Sequence, residues 1–316
     1  MTWDSALDLF FADLLKRGRK PSTVKQYRYD LTLFISYLQK QFKMPPGDVF
    51  SSFDTNTLER YLKTLRKERE ASISNVKRVR GIVINFLQFH GAADSLKSDI
   101  APQKLTSKHF ASDEEIERLL RIMRSYSGLT EYQASGRKFI MNRNILLVHF
   151  MLHYGLSIQD IITLSMHDIH FGTNTITPGG LHAYKRSITL SKEDTKLALS
   201  YYKKIPKLIR PRQQTGDPFF VAFDFGPQTF RWDYEKDQPA ALTRIAVQRM
   251  LQKEVKRAET RVTPTMLRNR FILNSLQNGM QPIEIKAYLG LKSVEALHRY
   301  TQFWKELQSK EHRIKL

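Results

Sequence analysis

Cysteine is absent from all 316 residues. That excludes disulfide staples, thiolate metal sites and cysteine nucleophiles, and it suits a reducing compartment. No run of about 18 apolar residues occurs, so no transmembrane helix is expected. The opening MTWDSALDLFFADLLKRGRK places acids inside its apolar stretch and basic residues after it, the reverse of a secretory signal, so the expected location is the cytoplasm. Internal repeats and low-complexity tracts are missing too. Acidic residues are scarce relative to basic ones: 31 Asp and Glu stand against 51 Lys and Arg, a net charge of +20. A neutral-substrate enzyme has no need of that imbalance, whereas a polyanion partner does.

The excess is shared along the chain, +7 over residues 1–105 and +13 over the remainder. A single basic tail would suggest an appendage; here the whole body is expected to face the polyanion. A membrane surface is the weaker partner, because no dominant basic amphipathic helix adjoins an anchor. Hydrophobic residues at 41% and aromatics at 11% suffice for ordinary cores, and the length favours two domains.

Four amphipathic helices are expected in the first hundred residues, making a small bundle. WDSALDLFFADLLKRG puts Leu7, Phe10, Phe11, Leu14 and Leu15 on one stripe and stops at Gly18. STVKQYRYDLTLFISYLQKQF follows, broken by Pro45-Pro46-Gly47. Asp54 and Ser74 are the expected caps of the third and fourth helices. The sequence therefore reads as an N-terminal helical domain over 1–92, a linker over 93–110 and a second domain over 111–316. The second domain opens on Ser112 capping DEEIERLLRIM, and NRNILLVHFMLHYG, apolar nearly throughout, is its central helix. TNTITPGGLHAYKRSITLS reads as a β-hairpin. Residues 206–240 read as a long loop with a short strand near PFFVAF, and helices resume on either side of it, including one from Pro264.

Four local patterns in this second domain belong together. They are HYGLSIQDIITLSMHDI, GGLHAYKRSITL, TPTMLRNRF and LGLKSVEALHRY. In this order they resemble the Gly-Leu-Arg segment, the lysine-bearing hairpin, the His-x-x-Arg box and the Leu-Gly-His-to-tyrosine segment of the tyrosine recombinase, or phage integrase, family. The resemblance extends over nearly the whole chain. It implies a mainly α fold: a four-helix, SAM-like core-binding domain followed by a helical recombinase catalytic-like domain with a small antiparallel β-sheet.

The family's chemistry needs a tyrosine nucleophile, two arginines on the phosphate oxygens, a lysine acid and two histidines. Carried over position by position, the first arginine falls on Ser157, the lysine on Leu181 and the two histidines on Thr265 and Leu291. Only Arg268 and Tyr300 are kept. One lost transition-state donor typically costs about 10²–10³ in rate and a lost general acid about 10²–10⁴. The resemblance therefore implies a degenerate site without useful turnover. Lys185 or Arg186 of the hairpin could swing in for the lysine, but nothing adjacent to Ser157 offers a second guanidinium. Tyr300 reads alternatively as a packed tyrosine with a wet hydroxyl, beside Leu297 and Trp304 on one helix face. Arg268, just inside a helix begun by Thr263 and Pro264, reads as a retained phosphate contact.

Further DNA contacts are expected where basic side chains meet helix starts. In the first domain these are Arg19, Lys20, Ser22, Lys25, Lys77, Arg78 and Arg80; in the second, Lys185, Arg186, Arg244, Arg249, Arg268 and Arg270. Most would touch phosphate and set affinity rather than sequence preference. Histidines 149, 153, 167, 170, 182 and 298 show no metal-binding spacing, and no metal or cofactor is expected. The favoured function is a sequence-specific double-stranded DNA-binding protein, a transcriptional repressor of the prophage kind located on the bacterial nucleoid. It would assemble as a homo-oligomer on DNA and answer to a protein anti-repressor. An active recombinase using Tyr300 and an accessory architectural factor stay open as alternatives.

Overall fold

A computed structural model describes residues 2–19, 21–42, 46–68, 70, 73–92, 104–179 and 186–314. The chain divides into two compact units, Met1–Pro102 and Gln103–Leu316. Among the described residues no helix is long and apolar enough to cross a membrane.

The first unit holds α1 (Trp3–Lys16), α2 (Pro21–Phe42), α3 (Pro46–Ser52), α4 (Thr55–Glu68) and α5 (Ile73–Phe89). Thr2 and Ser5 close a reciprocal capping box at the start of α1, and Gly18 just past its end takes φ +75°. The stripe Leu7, Phe10, Phe11 and Leu14 is buried as expected, but Leu15 is 47% exposed and lies outside the core. The Pro-Pro-Gly stretch does more than break α2. Pro46 opens the short α3, since proline's fixed φ and missing N–H suit a first helical position. That helix matters, because its Phe50 stacks on His90 at 4.6 Å and meets Phe86 edge-on at 5.7 Å. Asp54 caps α4 through the Thr57 amide at 2.7 Å. Ser74, expected as a cap, lies inside α5, which begins at Ile73.

In the second unit α6 (Asp113–Arg124), α7 (Glu131–His153), α9 (Lys192–Lys204), α10 (Arg244–Arg257) and α11 (Pro264–Gln277) surround one large core. Ser112 caps α6 through a capping box with Glu115. The central helix α7 starts well before the apolar run that announced it, at Glu131, capped by Thr130, whose side chain accepts from the Gln133 amide. Between α7 and α9 lie the short α8 (Ile158–Ile162) and a three-stranded antiparallel sheet: β1 (Ile169–His170), β2 (Thr175–Ile176) and β3 (Ile188–Thr189). Ile176 pairs with Ile169 on one side and Ile188 on the other, so all three side chains reach the core face. The stretch 206–240 is more ordered than a long loop. It forms two hairpins, β4 (Phe223–Asp224) with β5 (Thr229–Phe230) and β6 (Trp232–Asp233) with β7 (Gln238–Pro239).

A smaller core joins α11 to α12 (Pro282–Leu289) and α13 (Glu295–Ile314). Residues 104–110, expected as linker, belong to it: Leu105 and Phe110 are buried there, and Phe110 stacks on Phe303 at 4.8 Å. Residues 93–103 of the expected linker lie outside the described residues.

Two buried polar systems fasten these layers. Tyr154 and His149 of the α7 end both bond Asp194 of α9, at 2.7 and 2.6 Å. Burial opposes the Asp194 charge, yet these two hydrogen bonds hold its pKa below the ordinary value, and burial pushes the Tyr154 phenol up to about 12. Glu254 of α10 accepts from Arg137 of α7 at 2.8 Å and also pairs with Arg257. Truncating Glu254 leaves a buried guanidinium uncompensated. Glu254→Ala should therefore lower the stability of the second unit by about 3–5 kcal/mol in chemical denaturation.

His90 gives the first unit a pH response. Burial lowers its pKa below 6.5, partly offset by its bond to the Ala6 carbonyl at 3.0 Å. A histidine depressed in the folded state stays neutral where the unfolded chain takes up a proton. Its stability contribution is complete above about pH 6.5 and declines as the pH falls through the lowered folded value. Denaturation of the chain at about pH 7 and about pH 5 should show this loss, and His90→Gln should reduce it.

Candidate functional site

One carboxylate oxygen organises the site. Ser157 caps α8, accepting from the Asp160 amide at 3.1 Å, while Asp160 reaches back in a capping box. Asp160 Oδ2 thereby accepts from the Ser157 amide at 2.8 Å and from the Ser157 hydroxyl at 2.7 Å. Arg268, in the second turn of α11, donates to the same oxygen at 3.3 Å. Arg186, just before β3, brings its Nη2 to 3.5 Å from it. Two guanidiniums thus converge on a single carboxylate. Burial lowers the Arg268 pKa, the Asp160 charge opposes that shift, and the Arg186 charge adds to it.

Two glycines make the convergence sterically feasible. Gly155 has φ +61°, and a Cβ there would sit 2.4 Å from the Phe271 ring and 2.7 Å from Leu289. The turn from α7 into α8 can therefore press against α11 and α12. Gly290 ends α12 in the left-handed region with φ +64°, and a Cβ there would meet Arg186 Nη1 at 2.6 Å.

The placement of Arg186 corrects one sequence expectation. A second guanidinium does stand close to Ser157, delivered by the hairpin rather than by the Gly-Leu-Ser segment. Leu181, Lys185 and His182 lie outside the described residues. Thr265 is exposed at the start of α11, and Leu291 packs against the smaller core.

Tyr300 is 5% exposed on α13. Its hydroxyl donates to Asn269 Oδ1 at 2.7 Å and accepts from Arg299 Nη2 at 2.9 Å. Asn269 in turn donates to the His109 carbonyl at 2.8 Å. The tyrosine is packed as one reading held, and its hydroxyl is bonded to two side chains.

The other expected contacts are placed differently from one another. Arg19, Lys25, Arg244 and Arg249 are exposed, and Arg244 also donates to Gln159 at 3.1 Å. Arg78 is paired with the buried Asp30, Arg80 with Glu59 at 3.3 Å, and Arg270 with both oxygens of Asp113 at 2.7 and 2.8 Å. These three hold helices together within their own units. Lys77 is half-buried on α5. Lys20 and the Ser22 side chain lie outside the described residues. Among the described residues no three His, Asp or Glu side chains gather as metal ligands.

Asn269 and Asp160 were missed by the sequence reading. Asp160 had a usable signal, since it stands three residues after a helix-capping serine. Asn269 had none.

Similarities to known proteins fit this architecture. The model of the phage integrase family matches residues 110–306, and that of the phage integrase N-terminal SAM-like domain matches residues 7–94. The chain is 24% identical to the tyrosine recombinase XerC of Chlamydia caviae, over 96% of each protein. It is 23% identical to the tyrosine recombinase XerD of Listeria innocua, over 92% of this chain and 91% of that one. Among solved structures, XerH site-specific recombinase bound to a palindromic difH substrate superposes with TM-score 0.67 at 17% identity, covering 94% of this chain and 81% of that one. A lambda integrase dimer bound to a core site superposes with TM-score 0.59 at 14% identity, covering 95% of each. With its helical SAM-like domain, its small antiparallel sheets and its arginine and tyrosine set on α11 and α13, this chain belongs to the phage integrase family of tyrosine recombinases.

Proposed function

We propose that the chain is a sequence-specific double-stranded DNA-binding protein that grips the DNA backbone without cutting it, and that it works as a transcriptional repressor. The observation that carries the reading is the state of Tyr300, buried and with its hydroxyl bonded to Asn269 and Arg299. A nucleophile must lose its proton and reach a phosphorus atom, and neutral residues stand at Ser157, Thr265 and Leu291 where the family's chemistry wants charge or a proton carrier. The net charge of +20 and the DNA-bound XerH and lambda integrase structures support the choice of partner. On this reading the chain resembles the recombinase-like master repressor that keeps SPbeta-type Bacillus prophages dormant. That similarity suggests the repressor role, with a homo-oligomer on DNA and a protein anti-repressor as its partners.

A second reading, site-specific recombination, is favoured by the relatives named as recombinases and by the second guanidinium that Arg186 adds beside Arg268. A nicked suicide substrate separates the two. A covalent adduct that Tyr300→Phe abolishes would establish cutting.

Two measurements test the first reading. If about 6–10 phosphates are neutralised, affinity for duplex DNA should fall by roughly 10³–10⁵ between 50 and 200 mM salt. A flat response is incompatible with backbone gripping.

Substitution of the two retained residues gives the other measurement. Arg268→Ala should cost about 1.5–3 kcal/mol of DNA affinity and impair repression. Tyr300→Phe should change DNA affinity by no more than about 1 kcal/mol and leave repression in place. A Tyr300→Phe protein that binds normally yet loses all function in cells would mean that the chain is an enzyme.

A further inference from the structure

Arg186 is unusual among the cations of the second unit. Its side chain is only 10% exposed, and two of its nitrogens, Nε and Nη2, are buried without a hydrogen-bond partner. Its charge partner among the described residues, Asp160, is 3.5 Å away and already accepts two bonds from Ser157 and one from Arg268. A buried guanidinium with unmet donors is costly, and such a group persists most readily where a ligand completes it.

The chemistry of the missing ligand follows from charge and shape. Arg186 and Arg268 bring two positive charges and Asp160 one negative, leaving one positive charge uncompensated. Nε and Nη2 form one edge of the guanidinium, the edge whose parallel N–H groups match two oxygens on one atom. A phosphodiester supplies one negative charge and two non-bridging oxygens.

We infer that Arg186 is a phosphate-binding residue of this chain, sharing one DNA phosphodiester with Arg268 while Asp160 holds the two guanidiniums in readiness. The inference rests on the DNA-gripping reading and adds to it the residue that supplies the second arginine. Access requires the Arg186 head to rotate away from Asp160, toward oxygens that satisfy both of its free N–H groups. The left-handed Gly290 beneath Nη1 leaves the space for that head, because a Cβ would fill it.

Salt-dependent binding of a non-specific duplex by the full chain tests this, with Arg186→Gln and Arg186→Lys compared against Arg268→Ala. Gln keeps donors and bulk, so the hairpin stays filled while the charge is lost. Arg186→Gln should weaken binding by about 10- to 100-fold and reduce the slope of log affinity against log salt by about one. Arg186→Lys should keep the slope and recover only part of the affinity, since a point charge lacks the two-oxygen edge. In the Arg186→Gln, Arg268→Ala double variant the loss should fall short of the product of the single losses, as expected for two groups on one phosphate. An Arg186→Gln protein with the parent's salt slope, while Arg268→Ala lowers it, would overturn the role of Arg186 alone. A parent chain whose binding ignores salt would instead overturn the DNA-gripping reading.

Discussion

The carboxylate of Asp160 is the constraint on which the candidate site depends. Arg186 and Arg268 come from elements far apart in sequence, and like charges at that separation repel unless something stands between them. Asp160 supplies that charge, and Ser157 aims it through two hydrogen bonds. Ser157 thus orients the counter-ion.

The two units differ in how their basic residues are used. In the first, Arg78 and Arg80 tie α5 to α2 and α4. In the second, Arg137 and Arg270 bind carboxylates across helices, and Arg257 pairs with Glu254 within α10. Such pairing takes these cations out of the set free for a polyanion. Arg19, Lys25 and Arg249, which stand exposed, are better placed for that task.

Much of the helical framework was legible because it is periodic and capped. Phe10, Leu14, Phe34 and Leu38 repeat at helical spacing and are buried, and Ser112, Asp54 and Thr263 mark helix starts where their side chains accept bonds from backbone amides. The short α3 was not legible, since seven residues hold too few positions to display a period. Strands β4 to β7 have two residues each, too few for alternation to register. The site was half legible. Arg268 and Tyr300 could be placed by motif, but the ion pair of Arg186 with Asp160 and the hydrogen bond from Tyr300 to Asn269 join separate elements through side-chain geometry that no local pattern encodes.

The segment before α6 has a consequence for where the second unit can be separated from the rest of the chain. Leu105 and Phe110 are bricks of the smaller core, and the His109 carbonyl orients the amide that holds the Tyr300 hydroxyl. A fragment started at residue 111 would strip the stacked face from Phe303 and release Asn269 to turn. Its tyrosine would then be free to adopt positions that the intact unit forbids. The boundary that looks natural from helix periodicity would thus yield a C-terminal domain with an altered site, and assays on such a fragment would describe a different tyrosine.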